Sequence, residues 1–284
     1  MTKNAPHTIG CIMRMGAEMF ADSPTALLDA RILLMHVSAL SHAEIIANEH
    51  EPAAVGVAEA FQALAVRRAS GEPVAHLVGE QEFYGLRFGV TSDVLIPRPE
   101  TEMIIDAALA VLPAGKPARI LDLGTGSGCL LGTLLVERPS ARGTGVDLSP
   151  AAIGVAQDNL SRLNVAARAI LVEGDFSAAP KGPFDIVVSN PPYIEDDALL
   201  PKSVRQFEPA IALYAGVDGL NAYRNLAPLL VDRIAPEGYG FLEVGTGQGP
   251  AVVELMAAVM PDRPVSFEKD LAGLDRMLVI GPAK

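Results

Sequence analysis

Only two cysteines, Cys11 and Cys129, occur in the 284 residues. They cannot form a disulfide framework, and neither stands in a Cys-x-x-Cys pair. The five histidines are scattered without metal-ligand spacing, so no metal site is expected. No apolar run approaches the roughly 18–20 residues that a membrane helix needs, and no membrane contact is expected. The stretch from Met1 to Phe20 mixes Lys3, Arg14 and Glu18 among its apolar residues, which does not fit a secretory signal. Positive charge is also in short supply: 22 Lys and Arg stand against 34 Asp and Glu, a formal net charge of −12. A protein that holds duplex nucleic acid by its phosphates carries a basic footprint, so nucleic acid is not the expected partner. Repeats and low-complexity tracts are missing as well. A reduced, metal-free, cytoplasmic protein is the expectation.

Half of the residues are apolar and a fifth are charged, a globular balance. The length suits one large domain and one small one. The first seventy residues read as helices. Ser23-Pro24 offers an N-cap followed by proline at the first helical position, and Leu27, Leu28, Leu34 and Val37 recur at helical intervals. Ser41-His42-Ala43-Glu44 has the capping-box pattern. Pro52 is read as opening another helix through Phe61 and Leu64 to Arg68, with Gly71 as its stop. Glu82 to Phe88 reads as a β-hairpin turning near Gly85. Val94-Leu95-Ile96 is a short apolar run stopped by Pro97 and Pro99. The expected division is a helical domain over residues 1–74, a β-hairpin linker and hinge over 75–97, and a larger domain over 98–284.

In that larger domain strands and helices alternate. Thr101 to Val111 reads as helix and Arg119 to Leu123 as a buried strand. Cys129 to Arg138 is helical, Gly143 to Asp147 a second strand, and Pro150 to Leu163 its helix. Ala169 to Val172 and Phe184 to Ser189 are the third and fourth strands. Gly240 to Val244 is a later strand, and Val265 to Glu268 with Arg276 to Ile280 suggests a closing antiparallel pair. Such alternation implies an α/β fold, a parallel sheet covered on both faces.

Between the first of these strands and its helix lies Asp122-Leu123-Gly124-Thr125-Gly126-Ser127-Gly128. Glycines let the backbone approach a ligand closely, and ligands of open α/β sheets bind beyond the carboxyl ends of the strands. Asp147 ends the next strand about twenty residues later, where a carboxylate can accept from both ribose hydroxyls. Three readings compete. A dinucleotide wants Gly-x-Gly-x-x-Gly with its pyrophosphate at a helix N-terminus. Here the spacing is Gly-x-Gly-x-Gly, and Asp122 before it suits a cation better, which favours S-adenosylmethionine. A purely structural turn is the third reading. Beyond the third strand, Asp175 is placed to take an adenine amino group and Phe176 to pack on the ring; Phe176 as plain core is the alternative.

Ser189-Asn190-Pro191-Pro192-Tyr193 follows the fourth strand directly. Proline cannot continue a central strand, so the chain leaves the sheet at Asn190. Two prolines stiffen the exit and remove two donors. The side-chain oxygen of Asn190 and the carbonyl of Pro191 remain as acceptors, and Tyr193 adds an aromatic wall. That set suits a planar NH₂ group, whose nitrogen gains positive charge as a methyl arrives. The acceptors then bind the transition state more strongly than the ground state.

Among the remaining acids, Glu100 and Glu102 read as first-turn helix residues, favoured there by the dipole. Gly245-Thr246-Gly247-Gln248-Gly249 reads as the turn after a strand, Cys129 as a small buried residue, and Asp270 with Arg276 as partners in the closing hairpin.

Taken together these motifs resemble the protein-(glutamine-N5) methyltransferases of peptide chain release factors, the HemK/PrmC family. The resemblance spans nearly the whole chain. It is carried by Ile96-Pro97-Arg98-Pro99-Glu100-Thr101-Glu102, by Gly124 to Gly128 and by Asn190 to Tyr193. Phe207-Glu208-Pro209, Gly216 to Leu220 with Tyr223-Arg224, and Lys269 to Arg276 carry it further. It implies a Rossmann-like class I S-adenosylmethionine-dependent methyltransferase sheet behind a small N-terminal helical bundle. It implies cofactor contacts from Gly124, Thr125, Gly126, Ser127, Gly128, Asp147, Asp175, Phe176 and Asn190. It implies that Asn190, Pro191, Pro192 and Tyr193 hold a glutamine that lies in a Gly-Gly-Gln motif, with Asn190, Pro191 and Tyr193 as the catalytic set. The helical bundle would help grip the release factor. Asn-Pro-Pro-Tyr is shared with enzymes that methylate adenine or guanine amino groups, so a nucleic-acid methyltransferase is the rival reading. Phe176 follows Asp175 immediately, where the family often has one more bulky residue, and Phe207 stands where tyrosine is common.

Overall fold

The computed structural model describes residues 8–283; Lys3, part of the charge pattern near the amino terminus, lies outside them. The chain divides into two compact units. One runs to Gly79 and takes in Pro201–Phe207; the other comprises Glu80–Leu200 and the chain from Glu208 onward. No helix among the described residues is long and apolar enough to cross a membrane.

The first unit holds helices α1 (Ile9–Met19), α2 (Ala26–Ser38), α3 (His42–Ala47), α4 (Val57–Ala69) and α5 (Val74–Val78). Ile12, Phe20, Leu33, Leu34, Ile45 and Phe61 form its core. Gly16 lets α1 close on α4, because a Cβ there would sit 2.4 Å from the Phe61 ring. The capping box of Ser41 and Glu44 forms as the pattern predicts. Two helix starts differ from the sequence reading. Pro24 does not open α2: Ala26 does, behind an N-cap Thr25 that makes no side-chain cap bond. The hydroxyls of Ser23 and Thr25 donate to Asp29 instead, each at 2.8 Å, and Arg68 pairs with the same buried carboxylate at 2.8 Å. A buried charge demands partners more strongly than a helix end does. Pro52 likewise bridges Thr8 in a short antiparallel contact, and α4 starts only at Val57, after Gly56 in the left-handed region.

The second unit begins with the expected hairpin, β1 (Glu80–Phe83) and β2 (Leu86–Gly89). Its turn residues Tyr84 and Gly85 both have positive φ, 53° and 71°, as two-residue hairpins require. A 3₁₀ turn at Pro99–Thr101 leads into α6 (Glu102–Val111). Then follow β3 (Ala118–Leu123), α7 (Cys129–Glu137), β4 (Ala141–Asp147), α8 (Pro150–Arg162), β5 (Ala169–Glu173) and β6 (Phe184–Ser189). The short helix α9 (Lys202–Phe207), which groups with the first unit, comes next. The chain closes with α10 (Asn221–Arg233), β7 (Ile234–Glu243), α11 (Gly249–Val259), β8 (Val265–Lys269) and β9 (Asp275–Ile280). The start of β7 escapes the sequence reading because Pro236, Glu237 and Gly238 break its apolar pattern.

The seven strands are ordered β5-β4-β3-β6-β7-β9-β8. β5, β4, β3, β6 and β7 are parallel, and β9 and β8 close the edge antiparallel. Ile120 and Ile186 pack on one face with α6 and α7, while Leu121, Leu123 and Val187 pack on the other with α10 and α11. Full burial on both faces is why β3 and β6 read as continuous apolar runs. From β3 the strand order runs outward in both directions, so the carboxyl ends of β3 and β6 flank the switch point where such sheets open a ligand crevice.

Candidate active site

The site is assembled from the loops that leave the carboxyl ends of β3, β4, β5 and β6. Ser189, the last residue of β6, donates its hydroxyl to the Leu123 carbonyl at 2.6 Å and so ties two of these ends together. After Leu123 the chain turns through Gly124, Gly126 and Gly128, with φ of 75°, 53° and 76°. The amides of Gly124 and Thr125 both donate to the Val146 carbonyl, at 2.8 and 2.9 Å. The loop thereby lies over the end of β4 and meets Asp147. The two Asp147 oxygens accept from the Gly126 amide at 2.8 Å and from the Ser149 amide at 2.9 Å. Two backbone donors thus fix the carboxylate in place.

Asp122 is wholly buried beneath this loop. One of its oxygens accepts from the Thr125 hydroxyl at 2.6 Å, and the other has no partner. Burial pushes its carboxyl up to about 7. Such an orphaned acceptor calls for a donor. The neighbouring Cys129 thiol is pushed up to about 12 by burial, which makes it an inert packing residue.

Beyond β5, Asp175 caps the 3₁₀ turn Phe176–Ala178 by accepting from the Ser177 amide at 2.9 Å. The Ser177 hydroxyl on the same carboxylate holds it below the usual range. Phe176 stands close over the glycine loop: a Cβ on Gly124 would lie 3.7 Å from its ring.

At the end of β6, the Asn190 side-chain nitrogen donates to the Thr101 hydroxyl oxygen at 3.2 Å. Thr101 in turn donates to Glu243 at the end of β7, at 2.5 Å. Tyr193 donates its hydroxyl to the other oxygen of Glu243 at 3.1 Å. Burial raises the Glu243 carboxyl above its ordinary value. Burial, reinforced by Glu243, also raises the Tyr193 hydroxyl. The glycine turn after β7 braces Tyr193 from behind. Gln248 donates to the Tyr193 carbonyl at 3.0 Å and accepts from the Gly245 amide at 3.1 Å.

These elements enclose a cavity of about 380 Å³, within the range of small-molecule sites. Gly124, Thr125, Gly126, Ser127, Asp147, Asp175, Phe176, Asn190 and Pro192 line it. Gly128, Pro191 and Tyr193 are not among the lining residues. Gly128 precedes α7, where a Cβ would press on Ala156 of α8 at 3.2 Å. Tyr193 packs into the core on one side of the sheet with its hydroxyl on Glu243. The lining contains Asp93, Asp147 and Asp175 and no Lys, Arg or His. A pyrophosphate would find no cation there, whereas a sulfonium with an ammonium group would find acids and apolar walls.

Several lining residues carried no sequence signal: Ile211, Tyr214, Asn221 and Asn225. Thr101 belongs to the Ile96–Glu102 motif and to the start of a helix, and neither marks it as a site residue. Glu243 had no signal beyond lying within the strand read over Gly240 to Val244. Pro97 and Pro209, both in the lining, flank an ion pair: Arg98 donates to Glu208 at 2.5 Å, and the Ile96 amide donates to the second Glu208 oxygen at 3.0 Å. Of the remaining acids, Glu102 accepts from the Tyr84 amide at 2.8 Å, and Asp270 pairs with Arg276 at 3.1 Å.

Comparison with known proteins shows the family. The family described as PrmC N-terminal domain matches residues 12–79, and the methyltransferase small domain matches residues 105–208. A release factor glutamine methyltransferase from Cereibacter sphaeroides is 46% identical over 256 residues, which cover 89% of this chain and 90% of that protein. One from Burkholderia pseudomallei is 41% identical and covers 97% of this chain and 96% of its own. Among solved structures, a methyltransferase from Pyrococcus furiosus superposes with a TM-score of 0.52 at 16% identity, over 78% of this chain and 98% of that one; it supports the fold alone. The likeness to the relatives runs through both units, and the chain belongs to the release factor glutamine methyltransferase family.

Proposed function

We propose that this enzyme transfers the methyl group of S-adenosylmethionine to the side-chain amide nitrogen of the glutamine in the Gly-Gly-Gln motif of peptide chain release factors. The observation that carries the reading is the cavity itself: acids and no cations in its lining, with Asn190 on its wall. When bound, the cofactor supplies an electrophilic methyl on a sulfonium. Asp147 would hold the ribose hydroxyls, Asp175 the adenine amino group and Phe176 the adenine face. The Gly124–Gly128 loop, with Asp122 beneath it, would hold the cationic amino-acid end.

On the substrate side the Asn190 nitrogen is engaged by Thr101, which leaves the side-chain oxygen to accept from a substrate NH₂. The carbonyl of Pro191 is the second acceptor, and Pro192 and Tyr193 complete the substrate set. An amide nitrogen is a weak nucleophile, so two acceptors that strengthen as it becomes tetrahedral and positive lower the barrier. The rest is in-line placement. Residues 1–74 serve in this reading as the domain that grips the release factor, residues 75–97 as the linker and 98–284 as the methyltransferase domain, in a cytoplasmic setting.

The test is transfer of labelled methyl from S-adenosylmethionine to a purified release factor, with RNA and DNA as competing substrates. Label on the wild-type factor and none on a factor whose Gly-Gly-Gln glutamine is alanine is the expected result. Label on nucleic acid would move the substrate to a base amino group and overturn the proposal.

A further inference from the structure

Glu243 is 2% exposed and Thr101 is likewise 2% exposed. A carboxylate taken out of water at such a depth is costly unless every oxygen is used. Glu243 spends one oxygen on the Thr101 hydroxyl and the other on the Tyr193 hydroxyl. Its backbone carbonyl accepts from Tyr223 at 2.9 Å. Arg276, the cation acting on Glu243, is hydrogen-bonded to Asp270 instead. The carboxylate therefore faces the two side chains that connect it to the Asn-Pro-Pro-Tyr turn.

The direction of these bonds follows from chemistry. An ionised carboxylate only accepts. Thr101 has one hydroxyl proton and gives it to Glu243, which leaves the Thr101 oxygen able only to accept. The amide that meets this oxygen must present its NH₂. Asn190 is thereby held with its nitrogen toward Thr101 and its oxygen turned away. Without this chain the Asn190 amide could rotate by half a turn and present a donor to a substrate that is itself a donor. The second Glu243 oxygen holds Tyr193 three residues further along the same turn.

We infer that Thr101 and Glu243 are positioning residues that together polarise the Asn-Pro-Pro-Tyr turn, setting which way Asn190 faces and anchoring Tyr193. The inference rests on the proposed role of Asn190 as acceptor for the substrate nitrogen. Glu243 lies outside the cavity lining and Thr101 lies within it beside Asn190; the role inferred for both is exerted through Asn190 and Tyr193.

Thr101→Val keeps the shape and removes the hydroxyl. It is expected to lower kcat by about tenfold or more, on the scale of a lost oriented hydrogen-bonding group, with cofactor affinity and thermal midpoint close to wild type. Thr101→Ser restores the hydroxyl and is expected to recover most of kcat. Glu243→Gln is isosteric but brings a donor, which lets Thr101 turn its proton toward Asn190. It should lower kcat without loss of fold. Full kcat in folded Thr101→Val, or no rescue by Thr101→Ser, overturns the inference. An activity-independent readout separates it from the substrate assignment. The Asn190 side-chain NH₂ protons, followed by ¹⁵N NMR of the full-length wild-type protein, should be shifted and protected from exchange. They should lose both properties in Thr101→Val and in Glu243→Gln. Unchanged resonances overturn the inference even if the substrate proves to be a base.

Discussion

Arg98 and Glu208, 110 residues apart in the chain, form an ion pair in which the carboxylate is completely buried and the guanidinium is one-third exposed. The pair joins two proline-bearing segments, and Pro97 and Pro209 both line the cavity. It therefore shapes the wall of the site from outside it. Removing one partner of a buried pair strands the other. Arg98→Ala is expected to destabilise the protein by about 2–4 kcal/mol, below the full buried-pair cost because Arg98 is partly solvated. Glu208→Gln, which can still accept from the Ile96 amide, should cost less. Urea midpoints of the two variants check the order.

Asp122 ties stability to pH in an unusual direction. Its carboxyl is raised from 3.8 to about 7 by burial. A group whose folded value lies above its unfolded one favours the fold while protonated, and that advantage fades as pH rises through the folded value. Wild-type stability should therefore fall between about pH 4 and pH 7. The ceiling for a shift of this size is about 4 kcal/mol. Asp122→Asn does not titrate, so it should equal or exceed wild type at pH 8 and lose that margin toward pH 4. Thermal midpoints across this range provide the check; a margin independent of pH would contradict it.

The glycine loop separates two effects that a single motif obscures. Gly126 has φ 53° and open space where a Cβ would be; Gly128 has φ 76° and Ala156 at 3.2 Å. Both substitutions to alanine carry a left-handed penalty of roughly 1–2 kcal/mol. Gly128→Ala adds a tight 3.2 Å contact with Ala156 of α8, so it should lower the thermal midpoint more. Gly126→Ala projects a methyl beside the cavity, so it should weaken cofactor binding more. Calorimetric titration with S-adenosylmethionine alongside thermal melts distinguishes them.

Asn190→Ala should lose most methyl transfer, about 10²–10³-fold in kcat, while keeping the fold and much of the cofactor affinity. Retained activity in a folded variant would contradict the acceptor role. Tyr193→Ala should raise KM for the release factor more than it weakens the cofactor. A collapse of cofactor affinity measured by calorimetry would contradict the role assigned to Tyr193.

How far the sequence reached depends on the range of each interaction. The capping box at Ser41, the turn at Gly85 and the Gly124–Gly128 loop are short-range devices, and each forms where its residues predict. Ser23-Pro24 and Pro52 have equally good local signatures, yet neither starts a helix, because Asp29 claims the Ser23 hydroxyl and Pro52 bridges Thr8. At Pro52 a partner 44 residues away in the chain, and at Ser23 a buried carboxylate that Arg68 also holds, outweighs a preference worth about 1 kcal/mol.

By itself the sequence determined the alternation of strands and helices, the glycine loop, the acid at the end of β4 and the acceptor-bearing turn after β6. Periodicity, turn chemistry and missing donors act over a few residues and leave their mark in order along the chain. Only the tertiary structure decided that Thr101 and Glu243, 142 residues apart, meet beside Asn190. It also decided that Tyr193 turns its hydroxyl to a carboxylate in the core and that the cavity wall carries acids without a single cation. Those outcomes depend on which strand ends the sheet order brings together, and no pattern local to either partner encodes that.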